Sequence, residues 1–126
     1  MSITKREIKF RVWADTDGGP KMVYLSPMEL CDNGIWFDGS EEHMENHVVM
    51  QYTGMRDKTG REIYEGDILD DNAYGLWRVE WIDGEFVAVD TGSNCNRYSL
   101  WYFYSKFKDA FVAGNIYENK DIYEHN

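Results

Sequence analysis

Two histidines, His43 and His47, stand four residues apart in the polar stretch Glu41-Glu42-His43-Met44-Glu45-Asn46-His47. On a helix that spacing puts both imidazoles on one face, as a zinc site requires. The acid is in the wrong place for a zinc hydrolase, because neither HExxH nor HxxEH is spelled. A third ligand is not evident, so the expectation is an exposed acidic loop with two incidental histidines and no bound metal. For nucleophilic chemistry the chain has Cys31, Cys95 and one further histidine, His125, with no local signature around any of them. There is no GxSxG, no Walker A sequence and no GxGxxG. Asp70-Asp71 is a carboxylate pair, but neighbours in sequence point apart, which suits acid–base work poorly. The residues therefore read as those of a protein that is not an enzyme and takes no cofactor.

A different kind of chemistry is suggested by Trp101, Tyr102 and Tyr104, followed by Lys106 and Lys108. Aromatic rings beside cations can stack on single-stranded bases. They also fill cores and protein interfaces, where Trp and Tyr are favoured. The net charge of −10 decides the weighting. Residues 31–90 carry 4 Lys/Arg against 15 Asp/Glu, while residues 91–126 balance at 4 each. Nucleic-acid affinity rests on cations that neutralise phosphates, so nucleic acid is disfavoured and a core or protein-interaction role is expected. The acidic middle also admits a second reading, a decoy that imitates the charge of DNA.

These residues must be positioned by a small scaffold. A chain of 126 residues, 43% apolar and 16% aromatic, is one ordinary domain or two small lobes. The longest apolar runs are only a few residues, so no membrane span is expected. The N-terminus has no apolar h-region, and two cysteines are too few for a disulfide framework. A cytoplasmic protein with reduced thiols is the expectation.

The pattern along the chain is that of many short strands. Glu7 to Trp13 alternates, with Ile8, Phe10 and Val12 on one face and Lys9 and Arg11 on the other. A turn cluster at residues 15–20 precedes a return strand from Lys21 to Leu25. Ser26-Pro27-Met28-Glu29 spells a helix start. Ile35 to Phe37 and Val48 to Tyr52 read as strands, and Met55 to Glu62 as a tight connection turning on Asp57 and Gly60. Leu76 to Ile82, Asp83-Gly84 and Glu85 to Asp90 form a hairpin, since Asp-Gly suits a two-residue turn with both φ angles positive. Its register pairs Ile82 with Glu85, Trp81 with Phe86, Val79 with Ala88 and Trp77 with Asp90. One apolar face results, and Arg78, Glu80, Glu85 and Val87 fall on the more exposed one. Tyr98 to Phe107 is aromatic on all sides, and periodicity leaves strand and helix both open. Phe111 to Tyr117 is the last strand, with Gly114 as a bulge or a point of close approach.

Three stretches, "REIKFRVWA", "MQYTGMRDKTGREIYEGDIL" and "VAGNIYEN", occur in that order. Together they resemble the YopX family, small proteins found mostly in bacteriophages and prophages. The resemblance covers nearly the whole chain. Two departures stand out: Lys120 follows "YEN" where the family often has Pro, and Gly92 to Lys108 matches no motif. The resemblance implies a mainly β fold, with an SH3-like small β-barrel in the C-terminal part and a smaller N-terminal α+β portion. The expected division is residues 1–48 and 49–126. The family's role is generally uncharacterised.

Within that frame the motif residues read as scaffold. Gly54, Gly60 and Gly66 suit sharp corners, and Asp57 and Asp67 suit turns held by side-chain hydrogen bonds. Tyr52, Ile63, Tyr64 and Ile68 suit core or inner-rim positions. Thr53, Glu65, Gly114, Asn115, Ile116 and Tyr117 complete the motif set. The functional expectation is a non-enzymatic interaction module of phage or prophage origin that self-associates or binds a host or phage protein. The alternatives are the acidic decoy and an accessory single-strand binder using Trp101, Tyr102 and Tyr104.

Overall fold

The computed structural model describes residues 7–16, 18–25, 45–92 and 96–121. The helix start at Ser26, the strand at Ile35, His43, His125 and both cysteines lie outside them. The protein is mainly β. It divides into two compact units, Met1–Gly54 and Met55–Asn126.

In the first unit, β1 (Phe10–Thr16) and β2 (Gly19–Leu25) form an antiparallel hairpin, with Thr16 opposite Gly19. On its other side β1 pairs with β3 (Glu45–Arg56), Val12 opposite Val49. Val12, Ala14 and Leu25 are buried together, with Val23 packed against them. Alternation fixes this face, since residues two apart share a side of the sheet. Two readings of the alternation need correcting. Ile8 is 49% exposed and precedes the strand, and Arg11 is 1% exposed. The reason lies in the register. β1 is the middle strand, and Arg11 stands between Tyr24 of β2 and Met50 of β3. Neighbours of that length shield the other face of a central strand as well as the core face.

β3 runs on past Gly54 into the second unit, where β4 (Glu62–Tyr64) follows a tight turn. Then come β5 (Asp67–Asp70), β6 (Leu76–Ile82), β7 (Glu85–Asp90), β8 (Arg97–Ser99), a short helix α1 (Leu100–Lys106) and β9 (Phe111–Asn115). The last five strands form one antiparallel sheet in the order β8-β7-β6-β5-β9. Four consecutive strands thus meander, and β9 returns to the far side of the first. Asp83 and Gly84 have φ of 52° and 85°, as the two-residue turn needs. The β6–β7 register is Ile82↔Glu85, Trp81↔Phe86, Val79↔Ala88 and Trp77↔Asp90, as the sequence indicates.

The core of this unit is Ile63, Leu69, Trp77, Val79, Ala88, Leu100, Phe103, Ala110 and Val112. Trp77 is its hub, with ring centroids 5.6, 5.2 and 5.7 Å from Tyr98, Phe103 and Phe107. Each large apolar side chain buried here stabilises the fold by about 1.5–3 kcal/mol. Val87 corrects the hairpin reading, being 4% exposed. It lies between Glu80 of β6 and Ser99 of β8 in the middle of the sheet, so its outer face is shielded too.

Candidate functional site

The aromatic run that periodicity left undecided is both things in turn. Arg97–Ser99 pairs with β7, and the helix begins at Leu100. Leu100 and Phe103 are buried, and Tyr104 and Phe107 pack against the same core. Spacings of three and four put these on one helix face. The opposite face carries Trp101, 69% exposed, and Tyr102, 41% exposed. The Lys106 ammonium stands 5.0 Å from the Tyr98 ring centroid and 5.9 Å from that of Tyr102. The structure therefore separates the three candidate surface residues. Trp101 and Tyr102 face outward, whereas the Tyr104 hydroxyl donates to the Ala110 carbonyl at 3.1 Å. Burial, with the carboxylates of Asp57 and Asp67 adding to it, pushes the Tyr104 phenol well above its ordinary pKa.

The central motif is a set of turns fastened by side chains. Asp57 accepts at Oδ1 from Thr59 N (2.8 Å), Thr59 Oγ1 (2.7 Å) and Arg61 N (2.9 Å). Its Oδ2 accepts from Val112 N at 2.9 Å, which ties the turn to β9, 55 residues away in sequence. Burial raises the pKa of this carboxyl, but the bonds from Thr59, Val112 and Arg61 outweigh burial and hold it below its ordinary value. Gly60, at φ 92°, supplies the left-handed residue of the turn. Asp67 Oδ2 accepts from Tyr64 N at 2.8 Å and closes the Glu65-Gly66 turn. Gly66 N donates to Val79 O (2.8 Å), and Gly66 O accepts from Ile116 N (2.9 Å). Tyr52, Ile63, Tyr64 and Ile68 are all buried, and Glu65 is half-buried. In β3, Thr53 is half-buried and Gly54 is exposed at φ 86°.

A similar device closes the C-terminal motif. Asn115 Oδ1 accepts from Tyr117 N (3.0 Å) and Glu118 N (2.8 Å), and its Nδ2 donates to Glu118 Oε1 (2.9 Å). Gly114 is a point of close approach, because a Cβ there would run into the Asn119 amide. The bulge falls beside it. Ile68 faces Gly114 and Leu69 faces Val112, so Ala113 is the extra residue.

Sequence reasoning weighed Asp70-Asp71 only as a carboxylate pair and missed the turn that Asp71 closes. Asp71 accepts at Oδ1 from Ala73 N (2.7 Å) and Gly75 N (2.9 Å), and at Oδ2 from Trp77 Nε1 (2.9 Å). Asp70 turns away from it and accepts from Asn72 N at 2.8 Å. The two carboxylates thus do separate jobs, each holding backbone. A shallow cavity of about 310 Å³ lies beside Asp70, Asn72 and Tyr74. The signal that was available is the five-residue span from Asp71 to Gly75, the same length as that from Asp57 to Arg61. At the metal candidate, His47 is exposed on strand β3, while His43 lies outside the described residues. No three or more His, Cys, Asp or Glu side chains converge as metal ligands among the described residues. No helix among them is long and apolar enough to cross a membrane.

An antiparallel meander whose first strand is also paired by a returning strand, with turns held by buried Asp and Asn, defines a small mainly β fold. The family comparison agrees with this, matching the YopX protein model over residues 9–124. The chain belongs to the YopX family. Its fold is similar to the crystal structure of protein EF1440 from Enterococcus faecalis, with a TM-score of 0.59 and 24% identity, over 94% of this chain and 99% of that one. No match is found among curated proteins.

Proposed function

We propose that the protein is a non-enzymatic interaction module of phage or prophage origin, that its second unit is an SH3-like barrel, and that it self-associates. The sheet order β8-β7-β6-β5-β9 supports the barrel reading. Such barrels run four strands in a meander and bring the fifth back beside the first after a short helical turn, which here is α1. The observation that carries the interaction role is the outward face of that helix. Trp101 and Tyr102 remain 69% and 41% exposed beside Lys106. Trp and Tyr are among the residues most enriched as anchors of protein interfaces. Tyr104, bonded inward, is not free to stack on a base, which leaves two rings rather than three for single-strand binding.

The test is sedimentation velocity on the purified chain over a dilution series, with Trp101→Ala beside it. Concentration-dependent association that Trp101→Ala weakens is expected. A strict monomer at every concentration would overturn the reading.

A further inference from the structure

Two turns of the second unit are built alike. In each, an Asp N–H donates to the carbonyl four residues on: Asp57 to Arg61 at 2.8 Å, Asp71 to Gly75 at 3.0 Å. In each, Oδ1 of that Asp accepts the N–H groups two and four residues on. The fourth residue of the turn lies in the left-handed region in both. In the first turn it is Gly60, at φ 92°, and in the second it is Tyr74, at φ 71°. A bulky side chain is disfavoured in that conformation. Packing does not compensate, because Tyr74 is fully exposed. Asn72 is held at φ 62° in the same turn. Backbone strain of this kind clusters at functional sites such as ligand clamps and switch regions.

The charge around the loop indicates what it meets. From residue 62 to 77 the chain has no Lys or Arg and 5 Asp/Glu, of which Asp67 and Asp71 are buried and Glu62, Glu65 and Asp70 are half-buried, while from 91 to 108 it has 3 Lys/Arg and no Asp or Glu. The second stretch contains α1, with exposed Trp101 and Tyr102 and with Lys106 beside them. An acidic loop ending in an aromatic ring is complementary to a basic face of aromatic rings. We infer that the Asp71–Gly75 loop docks on a second copy of this chain, seating Tyr74 on that copy's Trp101, Tyr102 and Lys106. In a two-fold dimer the contact is made twice, each loop on the other helix. This inference rests on the self-association proposed above and names its surface.

The experiment compares the wild type, Tyr74→Gly and Trp101→Ala by sedimentation velocity at low and raised salt, with thermal melts as the control for folding. Glycine suits the φ of residue 74, so Tyr74→Gly should melt at or above the wild type while dissociating about tenfold or more easily. Raised salt should weaken the wild-type dimer. Mixing the two variants should restore association above either alone, because a mixed pair keeps one of the two contacts. A wild-type oligomer untouched by Tyr74→Gly, or a mixture no better than its parts, would overturn this surface and leave self-association standing. A monomeric wild type would overturn both.

Discussion

Asp57 and Asp71 close five-residue turns with the same pattern of hydrogen bonds, yet the two loops are fastened differently. The Asp57 turn is held from outside itself as well. Its Oδ2 reaches Val112 of β9, Arg56 Nη1 donates to the Gly60 carbonyl at 3.0 Å, and Lys58 lies 3.3 Å from Asp109. It also places glycine where the backbone goes left-handed. The Asp71 turn is anchored by a single indole N–H and places tyrosine at that position. One turn is relaxed and tied into the sheet, and the other is strained and open at its tip. The same backbone solution thus serves closure in one place and display in the other.

The largest expected effect comes from cutting the better-tied turn. Asp57→Ala leaves the Val112, Thr59 and Arg61 N–H groups without their acceptor, and a buried unsatisfied group costs about 1–3 kcal/mol. A loss of about 3 kcal/mol in urea unfolding is expected. Asp71→Ala should cost less, about 2 kcal/mol, because its outside tie is one indole N–H rather than a strand. Equal losses would mean that the link to β9 contributes no more than the Trp77 bond.

Acid should distinguish the two turns next. The Asp57 carboxyl has a pKa lowered in the folded state. Its contribution is therefore present above the ordinary Asp range near pH ~4 and is lost as pH falls through the folded value. Asp57→Asn should flatten the stability–pH curve below pH ~4. An unchanged acid limb would show that the hydrogen bonds do not favour the charged form. Alkali probes the same region through Tyr104, whose phenol titrates high under the influence of burial and then Asp57 and Asp67. The sign is opposite, with stability full below the ordinary Tyr value near pH ~10 and declining above it. Tyr104→Phe should remove that decline, and in the wild type an ultraviolet titration should show this phenol ionising only well above pH ~10.

The smallest effect exchanges the residues that distinguish the loops. Tyr74→Gly should stabilise by up to about 1 kcal/mol, since a left-handed L-residue costs about 1–2 kcal/mol and glycine's extra unfolded freedom cancels part of the gain. Gly60→Ala should lose about 1 kcal/mol for the converse reason. It meets no atom within 4 Å, so the loss would be purely one of backbone conformation. A destabilised Tyr74→Gly would mean that the ring is packed and the display reading is wrong.

What the sequence by itself determined was local. The Asp83-Gly84 turn and the alternation on either side of it specify the β6–β7 register, because a two-residue turn and a period of two leave one alignment with all the apolar residues together. The pattern of the Asp57-to-Gly60 segment likewise marks a turn, because short acids and glycine are what such turns need. Its limits were equally physical. Leu100, Phe103, Tyr104 and Phe107 have helical spacing, but Trp101 and Tyr102 on the other face mask it, since an exposed ring and a buried one read alike in a sequence. Arg11 and Val87 are covered because their strands are central, and strand order is not written in any one strand. Tyr74 looks like an ordinary loop residue until its φ is known. Only the tertiary structure brings β9 back to β5, sets Asp57 against Val112 and leaves Trp101 and Tyr74 uncovered, because each depends on contacts between residues far apart in the chain.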